Sequence, residues 1–191
     1  MKLVVVIGAA TPPGRLSNAI DSMSEAWSSN CSGDALEIIN LAIAKIDECD
    51  GRPFASYGPA TQSAVKALDD ASAVIIAAPV YRASFPGVLK NFLDIVPLEA
   101  LRSKPVGVVA MGGSSHHYLG VDSQLRFVLA WFGALVAPTS VYLTSRDFAD
   151  GKLASEDALQ ELLALCETLK DLAEGARGKT LGPAPLAGRF S

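Results

Sequence analysis

Cysteine is scarce in this chain. Cys31, Cys49 and Cys166 are odd in number and far apart, and they form neither a Cys-x-x-Cys pair nor a zinc-type spacing. They read as three reduced thiols of a cytoplasmic protein, not as a disulfide framework. Histidine is scarcer still: His116 and His117 are the only two, and as neighbours they leave a catalytic metal short of ligands. Positive charge is not in excess. Sixteen Lys and Arg against twenty Asp and Glu give a formal charge of -4, which argues against a nucleic-acid partner, because phosphates call for a basic face. No apolar run approaches the roughly 18 residues that would cross a bilayer. The amino-terminal run of residues 3–7 stops at Gly8 and is too short for a signal peptide. A soluble cytoplasmic protein without membrane contact is expected. With 50% hydrophobic and 19% charged residues, the chain is too apolar to be disordered. Its 191 residues suffice for one domain that buries roughly 70% of its unfolded surface.

What is present is an alternation of strand-like and helix-like stretches. β-Branched or continuously apolar runs at residues 3–7, 35–41, 73–78, 105–111 and 136–143 read as strands buried on both faces. Helical spacing of apolar residues recurs between them, at residues 16–27, 61–71 (with Thr61 as N-cap), from Gly87 to just before Pro97, and at 119–132. A last helix spans residues 155–174. Strands separated by helices mean a parallel sheet covered on each side. Five of them fit a flavodoxin-like three-layer α/β sandwich with strand order 2-1-3-4-5. One domain of residues 1–174 is expected, followed by a Gly- and Pro-rich tail of residues 175–191. Ligands of such sheets sit beyond the carboxyl ends of the strands, at the switch point. That directs attention to the loops after Ile7, Ala78 and Met111.

The first loop, residues 8–14, leads into a helix start whose free N–H groups suit a phosphate. Thr11, Ser17 and Asn18 add neutral donors there, and Arg15 adds a planar charged fork. The same pattern also serves a capped helix with a surface arginine, and the residues alone do not choose. The Gly-x-Gly-x-x-Gly spacing is absent, which counts against tight dinucleotide binding. No carboxylate lies between Gly8 and Arg15, which excludes a phosphoacceptor receiver. The second loop carries Pro79, Val80, Tyr81, Arg82 and Phe85 between prolines, a stiff edge able to frame a flat heterocycle. Core packing of the two rings is the alternative. In the third, Gly112 and Gly113 let backbone come close to a ligand, with Ser114 and His117 beside them. His116 reads as solvated.

The block of residues 78–94, APVYRASFPGVLKNFLD, resembles the NAD(P)H-dependent FMN reductases. Gly112, Gly113, Ser114 and His117, the later Gln124-Leu125-Arg126, Val141-Tyr142 and residues 147–150 agree with it. Within that family the chain is similar to reductases that serve alkanesulfonate or methanesulfonate monooxygenases. The resemblance implies FMN as cofactor, NADPH or NADH as co-substrate, and hydride transfer through the flavin with no catalytic side chain. It also implies a flavin-dependent monooxygenase as partner and a homodimer or homotetramer. A cluster of Phe127, Val128, Trp131 and Phe132 on one helix agrees with assembly. Many relatives carry Ser directly after the first glycine and Arg two residues beyond; Ala9 and Thr11 stand there in this chain. Ser123 falls where some sulfonate-system reductases have a widened helical turn. Two rival functions share the cofactor: a reductase of quinones, azo dyes or metal oxyanions, and a flavodoxin-like electron carrier. A carrier usually wants a strongly acidic docking face, which -4 spread along the chain does not offer.

Overall fold

The computed structural model describes residues 1–30 and 33–183; Cys31 and the last eight residues of the expected tail lie outside the described residues. Its centre is a parallel sheet. Strand β1 (Lys2–Ile7) pairs with β2 (Ala35–Asn40) on one side and β3 (Ala73–Pro79) on the other, and β3 pairs with β4 (Pro105–Met111). The outer position beside β4 is shared by β5 (Leu135–Val136) and β6 (Val141–Leu143). The order 2-1-3-4-5 is the expected one.

The continuous apolar runs bury both faces, and alternate residues go to opposite sides. Val4, Val6, Ile76 and Val108 pack under α2 (Pro59–Asp70), α3 (Gly87–Ile95) and α4 (Tyr118–Phe132). Leu3, Val5, Ile7 and Ile75 pack under α1 (Arg15–Asn30) and α5 (Glu156–Ala176). Ile20, Met23 and Trp27 of α1 and Leu162, Cys166 and Leu169 of α5 are almost fully enclosed on that side. Each large apolar side chain so placed stabilises the fold by roughly 1.5–3 kcal/mol.

Three expectations about these elements are corrected. Thr61 is not the N-cap of α2: Gly58 takes that place and Pro59 the first helical turn, where a missing N–H costs nothing. Thr61 is buried inside the helix instead. Its hydroxyl donates to Asp47 Oδ2 at 2.5 Å and accepts from Asp47 N at 2.9 Å. The fifth strand is broken in the middle. Pro138 has no N–H for the ladder, and its carbonyl accepts from Arg126 Nη2 at 3.2 Å, while Arg126 is anchored to the buried Asp122. Helix α5 continues through Gly175 to Ala176; one glycine costs a helix only about 1 kcal/mol, and the buried face of α5 outweighs that. Residues 148–153, for which no element was expected, form a two-stranded antiparallel hairpin, β7 (Phe148–Ala149) and β8 (Lys152–Leu153). No helix is long and apolar enough to cross a membrane among the described residues.

Candidate functional site

The sheet register brings the three loops together. Ile7 is level with Ala77, Pro79 with Met111, and Met111 with Leu143, so the carboxyl ends of four strands form one edge. The loops are fastened to it by backbone: Gly8 N donates to Ala77 O at 2.7 Å, Val80 N to Met111 O at 2.8 Å, and Gly112 N to Leu143 O at 3.0 Å.

The first loop is rich in unused donors. Among the described residues, the N–H groups of Ala9, Ala10, Thr11, Gly14, Arg15, Leu16 and Ser17 meet no protein acceptor. The first intrahelical bond of α1 is Asn18 N to Gly14 O, 2.9 Å. Thr11 and Arg15 are exposed beside this row, where the helix dipole adds positive potential. The Arg15 guanidinium lies over the Phe148 ring, 6.0 Å from its centre. Ser17 and Asn18 are occupied differently from Thr11 and Arg15. Ser17 is buried and accepts from Asn40 Nδ2 at 3.2 Å. Asn18 Nδ2 donates to Gly151 O, 2.7 Å away, at the tip of the hairpin. The hairpin therefore rests on the start of α1 and steers Arg15.

In the second loop, Tyr81 and Ser84 exchange backbone hydrogen bonds of 2.7 and 3.0 Å across a two-residue turn. Arg82 and Ala83 in that turn have φ of 50° and 62°, the left-handed region where a side chain costs roughly 1–2 kcal/mol each. The turn is braced from α4. A Cβ on Gly120 would lie 3.3 Å from Ala83 O, so only a glycine lets the helix come this close without displacement. Tyr81 is 42% exposed, and Arg82 is exposed as well. Pro79 and Val80 are half-buried at the strand end.

The third loop leaves the sheet at Gly112, where a Cβ would lie 1.9 Å from the Tyr142 hydroxyl. That hydroxyl donates to Ser114 O at 2.7 Å. Gly113 has open space where a side chain would be. His117 and His116 are both exposed, in a single 3-10 turn (Ser115–His117) ahead of α4. Helix α4 itself is unbroken, and Ser123 makes an ordinary hydrogen bond to Leu119 O at 2.7 Å.

The family model for NADPH-dependent FMN reductase matches residues 1–149. The chain belongs to the NADPH-dependent FMN reductase family. It is 33% identical over 134 residues to an NAD(P)H-dependent FAD/FMN reductase of Geobacillus thermodenitrificans, covering 70% of this chain and 72% of that one. It is 28% identical over 174 residues to the NADH-dependent FMN reductase SfnF of Pseudomonas putida, 88% and 91% of the two chains. In fold it is similar to the flavoenzyme NAD(P)H:(acceptor) oxidoreductase FerB of Paracoccus denitrificans, with a TM-score of 0.73 at 17% identity over 91% and 97% of the two chains. As a member of the FMN reductase family the protein is an oxidoreductase whose cofactors are FMN and a nicotinamide dinucleotide.

The edge fits FMN on its own chemistry. A row of unpaired N–H groups at a helix start with an adjacent guanidinium matches a phosphate. The glycine-rich third loop and the flat second loop match a ring system. The sequence had pointed to these three loops, but not to Tyr142, Gly120, Asn40 or the hairpin as their supports. The hairpin did have a signal. Asp150-Gly151 between Phe148-Ala149 and Lys152-Leu153 is a two-residue turn signal, and both residues have positive φ, 49° and 78°.

Proposed function

We propose that this protein takes hydride from NADPH or NADH onto FMN and supplies reduced flavin to a flavin-dependent monooxygenase. The observation that carries it is the set of donors without acceptors along one open edge. When bound, FMN supplies the two-electron chemistry. The chain's part is to hold, orient and shield. Arg15, Thr11, Ser17 and the free N–H groups of residues 9–17 grip the phosphate, with Asn18 acting through the hairpin. Pro79, Val80, Tyr81 and Arg82 border one ring edge. Gly112, Gly113, Ser114 and His117 border the other and leave room for the second flat ring that hydride transfer requires. The likeness to the NADH-dependent FMN reductase SfnF supports flavin reduction by a nicotinamide, and the resemblance of residues 78–94 to sulfonate-system reductases supports a monooxygenase as recipient.

The test is anaerobic. NADH or NADPH should bleach the absorbance of protein-bound FMN within minutes, and excess FMN should raise turnover in air. Bleaching by dithionite but by neither nicotinamide would replace this reading with an electron carrier.

Assembly belongs to the same reading. Between α3 and α4 runs a hollow of about 330 Å³ lined by Leu93, Val96, Leu98, Phe127, Val128 and Trp131. Phe127 is 83% exposed and Trp131 62%, more apolar surface than a helix normally leaves in water. The Lys90 and Asp94 pair at 2.5 Å on its rim puts both signs of charge there, which a self-complementary two-fold contact can pair. A homodimer or homotetramer covers this surface. Light scattering that returned the 19.9 kDa monomer at micromolar concentration would rule it out.

A further inference from the structure

We infer that Tyr142 is a positioning residue for the flavin: its hydroxyl locks the backbone of residues 112–115 so that the free N–H groups of Gly113, Ser114 and Ser115 face the ring system. Tyr142 lies on β6, level with Ala110 of β4, and its ring packs against the core under α2, α3 and α4. The base of the side chain is thus as rigid as the sheet. From there the hydroxyl reaches over Gly112 and donates to Ser114 O at 2.7 Å. Two interlocking restraints result. The hydroxyl fills the place of a Cβ at Gly112, with the ring carbon behind it only 2.9 Å from that point. The bonded carbonyl fixes the plane of the peptide joining Ser114 to Ser115.

A trans peptide carries its C=O and N–H on opposite sides. With Ser114 O held toward Tyr142, Ser115 N–H must point the other way, out of the loop. Among the described residues, the N–H groups of Gly113, Ser114 and Ser115 donate to no protein acceptor. A glycine pair that would otherwise sample many orientations is thereby confined to one. Burial pushes the Tyr142 phenol up from its ordinary value, so the group stays a donor in neutral and mildly alkaline solution.

N–H groups held in place without acceptors favour negative charge on whatever they face, and a reduced flavin carries more of it than an oxidised one. Tyr142 therefore acts on the difference between the two redox states, not on binding alone. The inference rests on the flavin reading of the third loop, and the test separates the two. Tyr142→Phe keeps the ring and removes only the hydroxyl. Amide order parameters of Gly113 and Ser114 should fall in the flavin-free protein. In the holoprotein, reduced FMN should lose about threefold to tenfold more affinity than oxidised FMN, which lowers the two-electron midpoint by roughly 15–30 mV. Gly112→Ala, which forces the hydroxyl away from the other side, should reproduce both changes. Unaltered order parameters in Tyr142→Phe would overturn the lock itself. Lower order parameters with an unmoved midpoint would leave the lock standing and remove the flavin from this loop, and the inference with it.

Discussion

The two ends of one sheet are built to opposite rules. At the amino-terminal end, charges and carbonyls are matched. Asp34 is nearly buried and accepts from the Met1 ammonium and, at 3.0 Å, from Lys170. Lys104 donates to Leu68 O and, at 2.8 Å, to Asp69 O at the end of α2, where a cation offsets the helix dipole. Lys2 pairs with Glu37 at 3.0 Å. At the carboxyl end, N–H groups of the first and third loops stand without acceptors among the described residues, and Tyr81 is open to solvent. The strands that run between the ends are the same, so the contrast lies in the loops alone. At one end these charged groups find partners, and at the other a row of backbone N–H groups is left without them.

Substitutions that separate stability from binding test that contrast, and the largest effect belongs at the matched end. Asp34→Ala removes the acceptor of two cations. It should cost about 3 kcal/mol of folding stability in urea titration with FMN affinity unchanged, and a loss of FMN affinity would break the division. Hydrogen bonds from the Met1 ammonium and Lys170 hold the Asp34 carboxyl below its ordinary value of 3.8. Its contribution is therefore present above that pH and disappears as pH falls through the lower folded value. The gap between wild type and Asp34→Ala should close in acid below about pH 3.8, and not before.

The next effect belongs at the other end. Arg15→Ala should weaken FMN binding by about 1.5–3 kcal/mol, the range for hydrogen bonds to charged groups, and should leave both riboflavin binding and the unfolding midpoint alone. Equal losses for the two flavins, read by fluorescence titration, would place Arg15 away from the phosphate. A smaller effect with two signs comes from Ala83→Gly. Relief of the left-handed side chain should raise stability by about 0.5 kcal/mol after the added chain entropy is counted. Nicotinamide KM or FMN affinity should worsen at the same time, because the turn is no longer held. Smallest of all is Cys49→Ser: the thiol is exposed and no step needs it. Unfolding should shift by less than about 0.5 kcal/mol, and turnover should not change.

The parts of the fold that sequence reading reached are those fixed by local chemistry. Runs such as residues 73–78, short, apolar throughout and stopped by a proline, favour a strand enclosed on both faces, and Pro97 ends α3 wherever the helix packs. The site loops were legible for a related reason: a parallel sheet leaves its strand ends at one edge, so three loops at three strand ends must meet. What escaped was set by partners distant in the chain. Thr61 looks like a cap until Asp47, fourteen residues earlier, takes its hydroxyl. Asn18 looks like an unengaged donor until one of its two amide hydrogens goes to Gly151 O. Tyr142 looks like an ordinary strand residue, and nothing near it in sequence announces that its hydroxyl reaches Ser114. In each case a polar side chain had two local uses, and tertiary contact chose between them.

The hairpin resting on α1 also sets an order of events. The bond from Asn18 to Gly151 spans 133 residues, so the guanidinium of Arg15 finds the Phe148 ring only after most of the chain exists. Contacts of such separation form late, because long loops must close first. At ribosomal rates of about 5–20 residues per second, the first loop waits roughly 7–27 seconds between its own synthesis and that of its support. A nascent chain of this protein therefore carries its first loop without the hairpin through most of its synthesis, and on the proposed reading of that loop flavin uptake becomes one of the last steps of its maturation.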